Sequence, residues 1–543
     1  MSERLILLVE DDPAQAKMWE LRLRQAGYQV ITAGSVEQAL DAIENRYFHV
    51  AVIDQSLRPE TGGTDSFGVD VVVRYLKQQI ETQMLPPAPY ILLTAYPDYE
   101  PLHTAYELGV LTYINKSDPE SGIKLLEKLR EAFQRVVRCN FELEVHYQDG
   151  LSLDKMVEGL CIKGIDLADP ATRSTVKKEM RDLLGKLFHD CSRIEIFLLA
   201  EGYSAAGIAT VLSHRIIDGI ERRAPCELVK YGDVAKIRKE VKNYAEHGSR
   251  IHQVRRPSRG ELRRTKHLGG VRYTYLGMSL AEARDFHSIY QEQTGTLDEQ
   301  IHQISSVLDD LFGITLDLWY EEPGLKHPID FKHQYADRLF NIVDLQAQFE
   351  ATFPAWKGKQ QIRFHELSSQ EFRTFVYALP HLPVRPTVGY DRVVTHGDLN
   401  GRDIFTYDNK TWLVDFYHAG PGHIFRDFVK LESYIKFHLM EAENLEALSL
   451  FEDALNDPEP SPENRAFAAR GDPDDLIKAY RIILKLRDWA RVKAMEVSWN
   501  RIRDEYYAGL FYQTLAALLD PVDVIRKKHV LISANKIYDL LTG

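Results

Sequence analysis

The chain has 543 residues, too long for one ordinary core and enough for two to four domains. Its apolar share of 44% and charged share of 27% exclude a disordered chain. A net charge of −13 leaves no global basic field, so neither nucleic acid nor a membrane is expected as a partner.

No apolar run approaches the roughly 18–20 residues that span a bilayer. The opening MSERLILLVEDD has a short apolar run and then acid, so it is not read as a signal peptide. Cys139, Cys161, Cys191 and Cys226 are isolated, without CxxC spacing. They are expected as reduced, buried side chains in a soluble cytoplasmic protein, rather than as a zinc or disulfide framework.

From the N-terminus, short apolar runs alternate with helical patterns. The runs are LILLV (5–9), YQVITA (28–33), HVAVID (49–54), YILLTA (90–95) and LTYIN (111–115). Amphipathic stretches such as SVEQALDAIENR lie between them, and Ile123, Leu126, Leu129, Phe133 and Val136 recur at helical spacing. Strands and helices in alternation predict an α/β doubly wound (βα)5 domain over 1–120, with its terminal helix continuing to about 138. Residues 139–190, with the helical STVKKEMRDLLGKLF, read as a connector.

After 190 the pattern changes. IEIFLLAEGYSAAGIATVLSHRI is strand, small-residue turn, strand; CELVKYG is a third strand, VAKIRKEVKNYAEHG a helix and VRYTYLG a further strand. Beyond 280 the pattern is mainly helical, with NDPEPSPEN (456–464) as a surface loop. The expectation is an α+β bilobal arrangement, a small antiparallel lobe over 191–280 ahead of a helical lobe over 281–543. The basic stretch RIHQVRRPSRGELRRTKH (250–267) lacks interleaved aromatics and reads as a solvated surface loop.

Two constellations carry chemistry. In the first, Glu10 and Asp11 follow the first strand, Asp54 ends the third, Thr94 the fourth, and Lys116 follows the fifth. In a parallel sheet these converge on one edge, where ligands bind. Three carboxylates repel without a cation, and oxygen donors suit Mg²⁺; Asp54 would be the nucleophile towards a phosphoryl donor. Any one of these residues alone is most often a strand cap or a surface lysine, but five in order favour function. LILLVEDDP, AVIDQSL, ILLTAY and AYELGVLTYINKSD resemble the response regulator receiver domain. That resemblance implies that Glu10, Asp11 and Asp54 hold the metal with the Ser56 carbonyl and that Asp54 is phosphorylated. It further implies Thr94 and Lys116 as phosphate sensors, Tyr113 as an aromatic switch, and a sensor histidine kinase or phosphotransfer protein as partner, with receivers pairing into a homodimer. The loop RPETGGTDSFG after Asp54 is longer than the family's usual one.

The second constellation begins with EGYSAAG, where Gly202, Ser204 and Gly207 would let backbone approach a nucleotide phosphate. Such residues also serve any tight hairpin. Lys230 ends CELVK and Glu240 sits on the next helix; such pairs on surfaces contribute little. THGDLNGRDIF (395–405) and WLVDF (412–416) then bring Asp398, a candidate base, and Asp403 and Asp415, candidate Mg²⁺ ligands at strand ends. This half resembles the aminoglycoside phosphotransferase and choline kinase-like branch of the kinases, and WLVDFYHAGPGHIFRDFVKLE resembles the ternary complex associated domains. The resemblance implies ATP as substrate, Asp398 as catalytic, Lys230 with Glu240 on the phosphates, and a hinge strand with Tyr275 beside adenine. It also casts His396 and Asp427 as braces of the catalytic loop. The family usually has asparagine where Asp403 stands. The combined expectation is a response regulator whose Asp54 controls a phosphotransferase acting on a hydroxyl acceptor that the sequence does not identify; the alternative is a non-catalytic, pseudokinase scaffold.

Overall fold

The computed structural model describes residues 3–57, 72–78, 89–95, 110–198, 206–274, 282–321, 329–335, 342–367, 370–379, 388–389, 392–457, 460–469, 473–496 and 498–542. The chain divides into two compact units, residues 1–241 with 258–274 and residues 242–257 with 275–543.

The first unit opens with strands β1 (Leu5–Val9), β2 (Gln29–Ala33), β3 (Val50–Asp54), β4 (Tyr90–Thr94) and β5 (Thr112–Asn115). They form a parallel sheet in the order β2-β1-β3-β4-β5. Alternation along each strand feeds two cores, as expected for a sheet covered on both faces. Leu7, Val9, Ala51 and Ile53 pack with Ala39 and Ile43 of the helix Val36–Asn45. Ile6, Leu8, Val50 and Val52 pack with Trp19 and Leu23 of the helix Pro13–Gln25, and with Leu125 and Leu129 of the helix Ser121–Ala132. Asp12 caps the first of these helices by accepting from Ala14 N and Gln15 N, with Pro13 pre-set for the first turn. The last helix continues through Phe133–Val137 and stops at Arg138, which takes a left-handed conformation.

The rest of the first unit is built on one sheet of eight strands: β6 (Glu144–Tyr147), β7 (Arg193–Leu198), β8 (Gly207–Ile217), β9 (Ile220–Arg223), β10 (Glu227–Asp233), β11 (Ser258–Arg259), β12 (Arg263–Arg264) and β13 (Leu268–Thr274). Its order is β11-β13-β10-β8-β7-β6, with β12 on β13 and β9 on β8. The segment 139–190 contributes to this core: β6 adds an edge strand parallel to β7. The helix Pro170–Leu187 buries Val176, Met180, Leu183, Leu184 and Leu187 against Val229, Tyr231 and Leu268. A Cβ at Gly270 would strike Leu187 and Leu183, so the glycine permits the close approach of this helix to β13.

The second unit is mainly helical around one apolar core that includes Phe428, Leu448, Leu486, Phe511 and Leu531. Its small antiparallel sheets are β14 (Arg284–Asp285) with β20 (Ile404–Tyr407) and β21 (Lys410–Leu413); β15 (Ile329–Asp330) with β18 (Val388–Gly389); β16 (Gln361–Arg363) with β17 (Glu371–Arg373); and β19 (Arg392–Thr395) with β22 (Gly420–His423).

The basic stretch 250–267 departs from the expectation of a solvated loop. In the second unit Arg255 is 5% exposed, 2.7 Å from Asp310 and stacked over Trp412. In the first unit Thr265 is fully buried, and the Lys266 ammonium donates to the carbonyls of Ile43, Glu44 and Arg46 where the helix Val36–Asn45 ends. Those carbonyls lack intrahelical donors, and a lysine there satisfies them.

Candidate functional site

The parallel sheet of the first unit fixes the geometry at the carboxyl ends of its strands. Glu10, Asp54 and Thr94 are 2%, 5% and 1% exposed there. Glu10, Asp11 and Asp54 each place a carboxylate oxygen within 4.8 Å of the others. Lys116 Nζ lies 2.7 Å from Glu10 Oε2 and 2.8 Å from Asp54 Oδ2, and its backbone N–H donates to Thr94 O at 2.6 Å. Burial, with the Asp54 charge added, pushes the Glu10 carboxyl up to about 7 against the opposing pull of Lys116. The three donors are all oxygens, which fits a hard divalent cation. Tyr113, on β5 and paired in register with Leu92, is 37% exposed. The edge therefore unites Glu10, Asp11, Asp54 and Lys116, with Thr94 at its rim.

The eight-stranded sheet holds a second charged pair. Lys230 stands on β10 between β8 and β13, and its Nζ is 2.7 Å from Glu240 Oε2 on the helix Val234–His247. The side chains are 3% and 1% exposed, and Tyr273 donates to Glu240 Oε1 at 3.3 Å. The pairing expected from the sequence is present, and its burial, which a surface pair would lack, makes removal of either partner costly. Gly207 starts β8 opposite Tyr231, whose ring fills the place of a Cβ, so packing explains this glycine. Gly202, Ser204 and Tyr275 lie outside the described residues.

In the second unit the loop after β19 is held by one carboxylate. Asp427 accepts from His396 N and Gly397 N, each at 2.8 Å, and from the Tyr320 hydroxyl at 3.0 Å. His396 Nε2 donates to Val414 O at 2.9 Å. These are the bracing roles expected of His396 and Asp427. Gly397 has φ +84°, and a Cβ there would strike the His418 carbonyl, so the turn requires glycine. Asp398 follows, with its side chain 44% exposed and Oδ1 at 2.7 Å from Lys430 Nζ.

Asp403 and Asp415 flank the β20–β21 hairpin, whose tip residues Asp408 and Asn409 both have positive φ, as a tight two-residue turn demands. Val414 N donates to Asp403 O at 3.1 Å, which ties the two strand ends together. The Asp403 carboxylate accepts from the Asn400 amide, and Asp415 has φ +64°, a left-handed backbone that aspartate tolerates better than most residues. Among the described residues, the three-carboxylate grouping tight enough for one cation is Glu10, Asp11 and Asp54. Asp398, Asp403 and Asp415 do not form a second one. Sequence reasoning missed Lys430; its signal was the position three residues after Asp427 in RDFVKLE, on the same helix, Arg426–Tyr434.

Comparison with known proteins agrees with this division. Residues 6–130 match the family model of the response regulator receiver domain, and residues 374–518 match ternary complex associated domain 9. A 140-residue stretch is 30% identical to the "Probable transcriptional regulator ycf27" of Porphyridium aerugineum, covering 26% of this chain and 52% of the relative. The Guillardia theta protein of the same description is 29% identical over 136 residues, 25% of this chain and 48% of the relative. The chain thus spans about half the length of the curated relatives it matches. A response regulator receiver domain protein (CheY-like) from Methanospirillum hungatei JF-1 is 26% identical, covering 24% of this chain and 95% of its own, with a TM-score of 0.21. A response regulator from Chloroflexus aurantiacus J-10-fl is 28% identical, covering 24% and 99%, with a TM-score of 0.21. No helix among the described residues is long and apolar enough to cross a membrane. Residues 6–130 are a response regulator receiver domain of the two-component kind, and residues 374–518 carry a ternary complex associated domain 9.

Proposed function

We propose that the receiver takes a phosphoryl group on Asp54 from a sensor histidine kinase or phosphotransfer protein, and that this controls an ATP-dependent phosphotransferase output. Asp54 Oδ attacks the donor phosphorus, the bond to the donor nitrogen breaks, and an acyl phosphate forms. A divalent cation on Glu10, Asp11 and Asp54 would supply charge neutralisation. Lys116, already 2.8 Å from Asp54, binds the new phosphoryl oxygens.

The observation that carries the output reading is the loop of Asp398. Its backbone is fixed by Asp427, while its own carboxylate stays 44% exposed. A loop built rigid around one open carboxylate suits a base that orients an acceptor hydroxyl. Asp403 and Asp415 at the end of the neighbouring hairpin are the candidate ligands for the Mg²⁺ of the nucleotide.

One observation favours a scaffold instead: the Asp403 carboxylate already accepts from Asn400, an internal partner that a metal would have to share. Labelled ATP incubated with wild type and with Asp398→Ala separates the two readings. Turnover lost in the variant supports the phosphotransferase; equal rates overturn it. A thermal shift with Mg·ATP but no turnover in either protein would mark a nucleotide-binding scaffold.

A further inference from the structure

Resting on the phosphotransferase reading, we propose that Lys430 is a second catalytic group: it holds Asp398 at rest and binds an oxygen of the phosphoryl group in transfer. The helix Arg426–Tyr434 serves the loop twice. Asp427, in its first turn, spends both carboxylate oxygens on the His396 and Gly397 amides. One turn on, Lys430 places Nζ 2.7 Å from Asp398 Oδ1.

Three features separate this contact from a bracing salt bridge. The loop is already held by Asp427 and by the His396–Val414 hydrogen bond, so a further brace is redundant. The exposures are unequal: the Lys430 side chain is 13% exposed and that of Asp398 44%, so a mostly covered lysine is presented beside a half-exposed aspartate. Lysine is also a mobile point charge on a four-carbon stem, able to leave one oxygen for another nearby.

The chemistry follows from distance. A base lies about 3 Å from the hydroxyl oxygen it serves, and the phosphorus lies about 3–3.5 Å beyond in line. An ammonium in contact with Asp398 is then within one rotamer change of the group in transfer. The acceptor oxygen attacks the γ-phosphorus as its proton passes to Asp398. The bond from phosphorus to the β–γ bridging oxygen breaks, and ADP leaves with that electron pair. Lys430 neutralises charge on an equatorial oxygen throughout, where a fixed cation stabilises the transition state most.

Fluoroaluminate with Mg·ADP mimics the planar transferring group, so the test does not depend on finding the acceptor. Thermal unfolding of the full chain is followed with Mg·ADP alone and with Mg·ADP plus fluoroaluminate. Lys430→Met should keep the Mg·ADP shift and lose at least about tenfold of the extra affinity for the fluoroaluminate complex, with Lys430→Arg keeping part of it. In turnover, Lys430→Met should lower kcat about 10²–10³-fold while the KM for ATP stays within about threefold. An equal fluoroaluminate gain in wild type and Lys430→Met overturns the role of Lys430 and leaves nucleotide binding standing. No Mg·ADP shift in wild type overturns the phosphotransferase reading, and Lys430's role with it. If circular dichroism finds Lys430→Met misfolded, Lys430→Gln and Lys430→Arg decide by the same comparison.

Discussion

His49 Nε2 lies 3.1 Å from Asp182 Oδ2, with the side chains 1% and 3% exposed and 133 residues apart in sequence. His49 Nδ1 accepts from Leu5 N at 3.0 Å, which puts the imidazole proton on Nε2 and makes it the donor to Asp182. The rings of Tyr47, Phe133 and Phe141 pack around it at 5.1, 5.8 and 5.2 Å. This contact seats the receiver on the helix Pro170–Leu187. We expect His49→Ala to destabilise the first unit by about 1–3 kcal/mol, because it removes a hydrogen-bond donor from the buried Asp182 carboxylate and orphans the Leu5 N–H. A double-mutant cycle with Asp182→Ala, read by urea unfolding, should be non-additive by about 1 kcal/mol. Strict additivity would mean the two residues contribute separately.

The Lys230–Glu240 pair should behave as a buried ion pair. Lys230→Met or Glu240→Leu alone breaks the buried pair and should cost about 3–5 kcal/mol. The double variant should be more stable than either single one, since an apolar pair of similar volume replaces both charges. Unfolding midpoints of the three variants check this; a double variant worse than both singles contradicts it.

Glu10 ties receiver stability to pH and, with the divalent cation proposed above, to metal. Its folded value of about 7 stands above the ordinary 4.5, so its contribution to stability is complete below pH 4.5 and is lost as pH rises through about 7. A divalent cation needs the ionised form and reverses that loss. The rise in melting temperature on adding Mg²⁺ should therefore be larger near pH 8 than near pH 6, and Glu10→Gln should flatten the difference. A rise independent of pH in wild type would remove Glu10 from the site.

In the second unit Glu452 has the opposite sign. Burial opposes its ionisation, but the Lys436 charge and the His529 hydrogen bond prevail and hold it down at about 2. Lys436 Nζ is 2.7 Å and His529 Nε2 2.8 Å from its oxygens. Stability from this group is complete above pH 4.5 and lost as pH falls through about 2, a change of about 3 kcal/mol. Unfolding free energy measured against pH should fall over that window in wild type. Glu452→Gln should be less stable at neutral pH and show a shallower acid limb.

The receiver edge was legible because a parallel sheet fixes where strand-end residues go once the strands are recognised. Glu10, Asp54, Thr94 and Lys116 each follow or end an apolar run, and topology does the rest. Asp398 and Asp427 were legible as motif residues, although the two amides that Asp427 accepts were not. The part played by 139–190 was hidden because Glu179, Asp182 and Lys186 stand on the buried side of the helix Pro170–Leu187, where they blur its apolar stripe. Their partners lie far off in sequence: His49 for Asp182, the 265–267 turn for Glu179 and Arg264 O for Lys186. Periodicity reads apolar burial well and cannot read polar burial that distant groups satisfy. Gly207 is ambiguous for a related reason, since small residues look alike whether they make room for phosphate or for the Tyr231 ring.

Strand β1 begins at the seated end, where Leu5 N meets His49, and finishes at Val9, next to Glu10 on the acidic edge. The two ends of one strand thus serve separate duties. In the phosphotransfer proposed above, the donor would meet the acidic edge, at the other end of the strand from the seat. The converse applies to anyone cutting the gene: a fragment ending near residue 138 would lose Phe141 and Asp182 and bare Tyr47, His49 and Phe133 to water. Such a fragment would be sticky for reasons unrelated to signalling.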